Sequence, residues 1–114
     1  MSDIFDSAVR SSGDFAGVFE SDLETSYFYL YRIDEREGNK VRGAIMIATG
    51  SPTFGAADVA IFWSREERYV GLNIKDIVLA VFDCETAQGF GGIRIDGGHS
   101  QIPADLLAEF ARTE

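Results

Sequence analysis

Residues Val59–Asp83, VAIFWSREERYVGLNIKDIVLAVFD, consist of three apolar runs separated by two short charged breaks. Val59–Trp63, Tyr69–Ile74 and Ile77–Phe82 are each of strand length, and the breaks Ser64–Arg68 and Lys75–Asp76 are short enough to be hairpin connections. The stretch therefore predicts an antiparallel three-strand meander, around which the remaining chain is expected to fold. It contains no chemistry of its own and reads as scaffold.

Upstream, Phe15–Glu20 reads as a strand, Ser21–Thr25 breaks it, and Ser26–Ile33 (SYFYLYRI) starts another. Aromatic residues suit a pleated surface. Alternation puts Tyr27, Tyr29, Tyr31 and Ile33 on one face and Phe28 and Leu30 on the other. Asp34–Lys40 is a charged connection with Gly38-Asn39 near its centre, and Val41–Ala48 is a further strand. Its alternation sets Val41, Ile45 and Ile47 against Ala44, Met46 and Ala48. Thr49–Ala57 is a loop, because Pro52 cannot donate into a ladder.

Residues 1–14 read as an edge strand or a loose arm ending in the turn cluster Ser11–Asp14. After Asp83 the chain turns through Cys84–Gln88 into Gly89–Ile95, a glycine-weakened strand, and Asp96–Ser100 is a loop. Pro103–Arg112 is the one predicted helix. Pro103 fits its first turn, Asp105 suits the helix dipole, and Leu106, Leu107 and Phe110 form an apolar stripe.

The chain is thus expected to be one domain over residues 1–114, α+β but mostly β, with about seven strands and a C-terminal helix at 103–112. Sequential strands with short breaks mean antiparallel pairing. Ten helical residues reach only about 15 Å, too little to cover a sheet whose strands are apolar on both faces. The sheet is therefore expected to curl into a half-barrel or sandwich, with a homodimer as the alternative cover.

Hydrophobic residues make up 46% of the 114 and charged ones 25%, an ordinary globular mixture that argues against disorder. Nineteen acids against ten Lys and Arg give a formal net charge of −9. Such a surface repels phosphate backbones and anionic lipid, which excludes nucleic acid and membrane from the expected partners and favours a basic protein. The plain alternative is that the charge keeps a small domain soluble. Cys84 is the single cysteine, so no disulfide forms within the chain. No apolar run reaches the length of a membrane span, and the N-terminal residues lack the apolar core of a secretory signal. A cytoplasmic protein is expected.

Three blocks of this sequence resemble a small family of hypothetical bacterial proteins catalogued as a domain of unknown function. The first is Gly17-Val18-Phe19-Glu20 with Asp22, Glu24-Thr25 and Tyr27-Phe28-Tyr29. The second is Val59-x-Ile61-x-Trp63-Ser64 with Leu72-x-Ile74. The third is Ala80-Val81-Phe82-Asp83 with Gly89 and Phe90, so that the blocks span residues 15–90 in order. Two departures stand out. The family's Asn-Gly-like turn is Lys75-Asp76 here, which implies a different or longer turn, and the residues after Phe90 lack its polar, proline-rich ending. The family carries no assigned activity, so the resemblance implies a fold unit and a bacterial origin but no catalytic residue.

Candidate chemistry is sparse. Glu20, Asp22 and Glu24 are spaced i, i+2, i+4, so an extended chain points all three one way. That arrangement suits calcium or magnesium poorly, since two of the three fall in a turn and no calcium-loop spacing is present. It suits a basic partner better. His99 and Cys84 are the one thinkable nucleophile pair, but neither has a recognisable orienting group. One Cys and one His are too few for zinc. Gly89, Gly91 and Gly92 precede the strand-like Ile93–Ile95 rather than a helix, and Gly97-Gly98 fall in the 96–100 loop, so these glycines read as bends and not as a phosphate loop.

Three functional readings follow, in order. The first is a non-catalytic protein-binding module, in its sharpest form an acidic immunity-type inhibitor of a basic partner, contacting it through Glu20, Asp22, Glu24, Tyr27, Tyr29 and Tyr31. The second is a homodimeric structural or small-ligand-binding protein whose cavity is lined by Tyr29, Tyr31, Trp63 and Phe82. The third is an enzyme using Cys84 or His99. No catalytic residue, cofactor or metal is assigned.

Overall fold

In the computed structural model, residues 4–22, 24–34, 40–50, 54–92, 102–108 and 110 are described. They form β1 (Ile4–Val9), β2 (Phe15–Ser21), β3 (Thr25–Arg32), β4 (Val41–Thr49), β5 (Val59–Trp63), β6 (Tyr69–Ile74), β7 (Ile77–Asp83), β8 (Gly89–Gly91) and a short helix, α1 (Ala104–Ala108). A single 3-10 turn, Ala56–Asp58, leads into β5. Strands β1–β4 form one antiparallel sheet and β5–β8 a second, each in sequence order.

The expected curled, sandwich-like β fold is therefore realised as two packed sheets rather than one curled sheet. The opening meander is not the centre of a single sheet but most of the second layer, completed by β8. Residues 4–9 are an edge strand, not a loose arm. The sequence count of about seven strands becomes eight among the described residues. The connection at 35–39, the loop at 51–53 with Pro52, the extension of the last strand through 93–95 and the 96–100 loop lie outside the described residues.

Strict alternation supplies the interior. Phe19, Phe28 and Leu30 from the first sheet and Val70, Leu72, Ala80 and Phe82 from the second are fully or almost fully buried in one cluster. Phe28 and Phe82 meet across the layers with ring centroids 5.4 Å apart. The sheets approach this closely because two inward positions carry no side chain. A Cβ on Gly43 would lie 2.6 Å from the Phe82 ring, and one on Gly17 would lie 2.7 Å from Val70. Each glycine forfeits some strand propensity, and the close layer contact offsets that.

A polar clasp ties the two sheets at one end. The Trp63 indole N–H donates to the Ala8 carbonyl at 3.0 Å, and the Ser11 hydroxyl donates to the Glu67 carboxylate. Within the second sheet, Arg68 of the β5–β6 connection grips Asp83 of β7 with two donors, at 3.2 and 2.9 Å. Burial alone pushes the Asp83 carboxyl up, but Arg68 and the Glu85 N–H hold it below its ordinary range.

Of the helix expected over 103–112, the described residues show Ala104–Ala108, and 109, 111 and 112 lie outside the described residues. The Pro103 carbonyl accepts the N–H groups of Leu106 and Leu107. Leu106 is buried, but Leu107 is 40% exposed, so the apolar stripe is narrower than the spacing predicts. Phe110 seats its ring against Gly71, where an added Cβ would lie 3.0 Å from it. Gly71 sits between the inward Val70 and Leu72, so this contact covers the outer face of the second sheet.

The Lys75-Asp76 turn is a two-residue hairpin joining Ile74 to Ile77, with φ of 54° and 66°. The expected longer or different turn is not formed. Both residues adopt the left-handed conformation, against their steric preference, because the flanking register demands it.

Two stability outcomes are expected. Gly43→Ala should lower unfolding free energy by about 1–3 kcal/mol through overpacking against Phe82, and Phe82→Leu in that background should recover part of the loss, as measured by urea denaturation. Asp76→Gly should raise stability by about 1 kcal/mol by relieving left-handed strain, seen as a higher thermal midpoint.

Candidate functional site

The β2–β3 hairpin builds the one site in which the sequence candidates meet. Glu20 ends β2 on its outer side, and the strand closes with Ser21, which pairs with Ser26. These two serines are buried, and the Ser26 hydroxyl donates to that of Ser21 at 2.9 Å, so neither needs water. The chain then turns on Asp22. Its Oδ1 accepts the N–H groups of Glu24 at 3.0 Å and Thr25 at 2.8 Å, a side chain standing in for the next turn of backbone. Those bonds, that of Thr25 foremost, hold the Asp22 carboxyl below its usual range.

Alternation assigns the faces. Leu30 lies opposite Gly17 and Gly43, and both glycines face the second sheet. Phe28 shares that inward face. Tyr27, Tyr29 and Tyr31 therefore stand on the outer face of the first sheet, each half-buried. Tyr27 and Tyr29 stack with centroids 5.8 Å apart and planes 18° from parallel.

Beside this stack lies a hollow of about 150 Å³ lined by Glu20, Asp22, Thr25, Tyr27 and Tyr29. The Tyr29 phenol is pushed above its ordinary range, first by burial and then by the negative charge of Glu20, by Tyr27 and by Asp22. Four of the six sequence candidates are thus brought together. Glu24 is exposed and Tyr31 lies two residues further along the strand, and neither lines the hollow. The i, i+2, i+4 argument for the three acids fails at Glu24 because β2 ends at Ser21 and extension stops there. Among the described residues no three acids, cysteines or histidines are grouped to hold a metal ion.

The hollow sits at one corner of a larger surface. Register sets three rows across the outer face of the first sheet: Phe5, Glu20, Tyr27 and Met46; Ser7, Val18, Tyr29 and Ala44; Val9, Ala16, Tyr31 and Val41. Phe5 is 66% and Val9 56% exposed. Val41 lies opposite Tyr31, apart from the Ile45 and Ile47 face, because a bulge between Leu30 and Tyr31 shifts the register.

The remaining candidates are dispersed. Phe82 is in the core between the sheets, packed on Phe28, whereas Tyr29 and Tyr31 are outside, and Trp63 bonds the β1 carbonyl of Ala8. These four do not line one cavity, because Phe82 faces the interior while Tyr29 and Tyr31 face outward. Cys84 is buried, and its Sγ accepts from Arg10 at 3.4 Å. Its sequence neighbours do not reveal this cation, which comes from 74 positions away. Burial outweighs Arg10 and pushes the thiol up. His99 lies outside the described residues, as do Gly97 and Gly98. Gly91 and Gly92 form a bend in which the Gly92 N–H donates to Leu79 and a Cβ at Gly91 would strike the Leu79 carbonyl oxygen.

Among the described residues no helix is long and apolar enough to cross a membrane. A family model described as "Uncharacterized protein conserved in bacteria (DUF2251)" matches residues 2–95. No curated protein and no solved structure matches the chain.

A buried thiol held in its neutral form should be unreactive. Native protein at pH 8 is expected to label Cys84 with a disulfide reagent at least about a hundredfold more slowly than urea-unfolded protein, read by absorbance of the released thiolate.

Proposed function

The chain belongs to that uncharacterised bacterial family, and from this premise we propose that it is a non-catalytic, cytoplasmic protein-binding module that caps a basic partner in the manner of an immunity-type inhibitor. The observation that carries the reading is an asymmetry between the two sheets. The outer face of the second sheet has Phe110 seated on Gly71. The outer face of the first presents Phe5, Val9, Val18 and three tyrosines, with no described segment across it. Aromatic residues flanked by polar groups are what interface centres use. Glu20 and Asp22 sit at one corner of this face and the chain carries a net charge of −9, so complementarity favours a cationic surface.

The reading gives the hairpin acids and tyrosines a common task, and it needs neither Cys84 nor His99. A small-ligand cavity lined by Phe82 has no support, since that ring is core. A second copy of the chain carries the same net charge of −9, whereas a cationic surface complements it, which weighs against a homodimer.

Tagged wild-type protein and a Val18→Glu, Tyr31→Glu variant, both checked by melting, should be compared in capture from the native host. Wild type is expected to retain a basic protein whose purified complex weakens with salt, and the variant should bind it about tenfold or more weakly. A wild-type dimer by light scattering that the variant dissociates, or equal capture by both proteins, would overturn the proposal.

A further inference from the structure

We propose that residues 102–110 are a detachable strap, closed over the outer face of the second sheet by seating the Phe110 ring in a glycine notch, and that it opens while both sheets stay folded. The inference concerns the sheet opposite the tyrosine face and does not rest on the docking reading above.

Register builds the notch. Phe62 of β5 lies opposite Gly71 of β6, Gly71 opposite Val81 of β7, and Val81 opposite Phe90 of β8. This is an outward row, because the alternate residues Ile61 and Val70 meet Gly17 of the first sheet. Apolar side chains on both sides of a bare glycine leave a gap one residue wide, and a strand glycine is where another group can approach closely. Phe110 takes that gap, with ring atoms 3.0 to 3.3 Å from where a Gly71 Cβ would stand.

Little else holds the segment. Ile102, Leu106 and Phe110 are spaced four apart, and among the described residues of 102–110 they alone are not exposed. The backbone hydrogen bonds of these residues are internal. The Pro103 carbonyl accepts from Leu106 and Leu107, and the Leu107 carbonyl from Phe110. None of these bonds joins the segment to a sheet, whereas β6 and β7 beneath it are each bonded to two neighbours. Even a helix over all of 103–112 is shorter than the about 12–15 residues that an isolated helix needs in water. Once the ring leaves the notch, the segment therefore loses its order, and the chain entropy regained offsets much of the lost burial. Segments with so few buried contacts open locally, ahead of the core. The family match over residues 2–95 spans all eight strands and stops short of the strap.

Opening changes the surface. Val81, fully buried in the closed form, and the empty notch then face water beside Phe62 and Phe90. The strap thus decides whether the second sheet shows an apolar face.

The test uses the full chain. By native-state hydrogen exchange, the Leu106, Leu107 and Phe110 amides are expected to exchange at least about a hundredfold faster than those of Val70 and Leu72. Gly71→Ala puts a methyl in the notch, and Phe110→Ala empties it. Each should let thermolysin cut before Leu106 or Leu107 at least about tenfold faster and raise binding of an apolar dye several-fold, with the thermal midpoint moved by only a few degrees. Because both act through one contact, the double variant should be cut no faster than Phe110→Ala alone.

Equal protection of strap and β6 amides would overturn the proposal, since the segment would then open only with the whole molecule. A Phe110→Ala variant that loses the folded sheets would do the same. So would cleavage that Gly71→Ala leaves unchanged, or effects of the two substitutions that simply multiply.

Discussion

The Phe82 ring lying on the bare backbone of Gly43 is the contact on which the rest of the molecule depends. It joins β7 of one sheet to β4 of the other, and Phe28 completes the contact from β3. Two four-stranded sheets become one body by burying their inner faces against each other. Gly17 does for β2 and β6 what Gly43 does for β4 and β7. Once the layers are locked in this way, every outward residue is determined by alternation. The tyrosines are outside because Phe28 and Leu30 are inside.

The two outer faces then differ in a way that only the tail explains. Both sheets carry apolar residues outward, since Val81 in β7 is fully buried although it alternates with the inward Ala80 and Phe82. On that side the chain returns with Leu106 and Phe110. On the other, β3 turns a row of phenols outward, and a phenol tolerates both states: its ring accepts burial while its hydroxyl accepts water. A strand of leucines in the same place would leave a surface with no tolerable unbound state. This is the physical reason for reading the tyrosine row as a surface that is covered part of the time.

Much of this was legible in the sequence where period two was unbroken. The β3 faces, the β5–β7 meander and the apolar demand on both sides of the sheets follow from alternation alone. Legibility ended where one residue interrupts the period or where the partner is distant in sequence. The bulge opposite Tyr31 moved Val41 away from Ile45 and Ile47. Asp22 looked like one of three parallel carboxylates, but it is the residue that ends the extension. Phe82 looked like a cavity wall because its strand is apolar on both faces, and composition cannot say which face is inward without the glycines opposite. Arg10 beside Cys84 had no local signal at all, since only the sandwich brings β1 to the end of β7. The Lys75-Asp76 turn shows the converse, a local preference overridden by register on both sides.

The hairpin's construction bears on how it can act. Glu20, Tyr27 and Tyr29 are on inner strands of their sheet, their backbone groups are in the ladders with β1 and β4, and the turn between them is closed by Asp22 and by the buried serine pair. Ordering a side chain at an interface costs about 0.5–1.5 kcal/mol, and rings already stacked on a strand have little of that left to lose. A loop bearing the same residues would have to be fixed by the partner. Aromatic residues fixed in this way would offer any covering molecule a surface whose shape is already set.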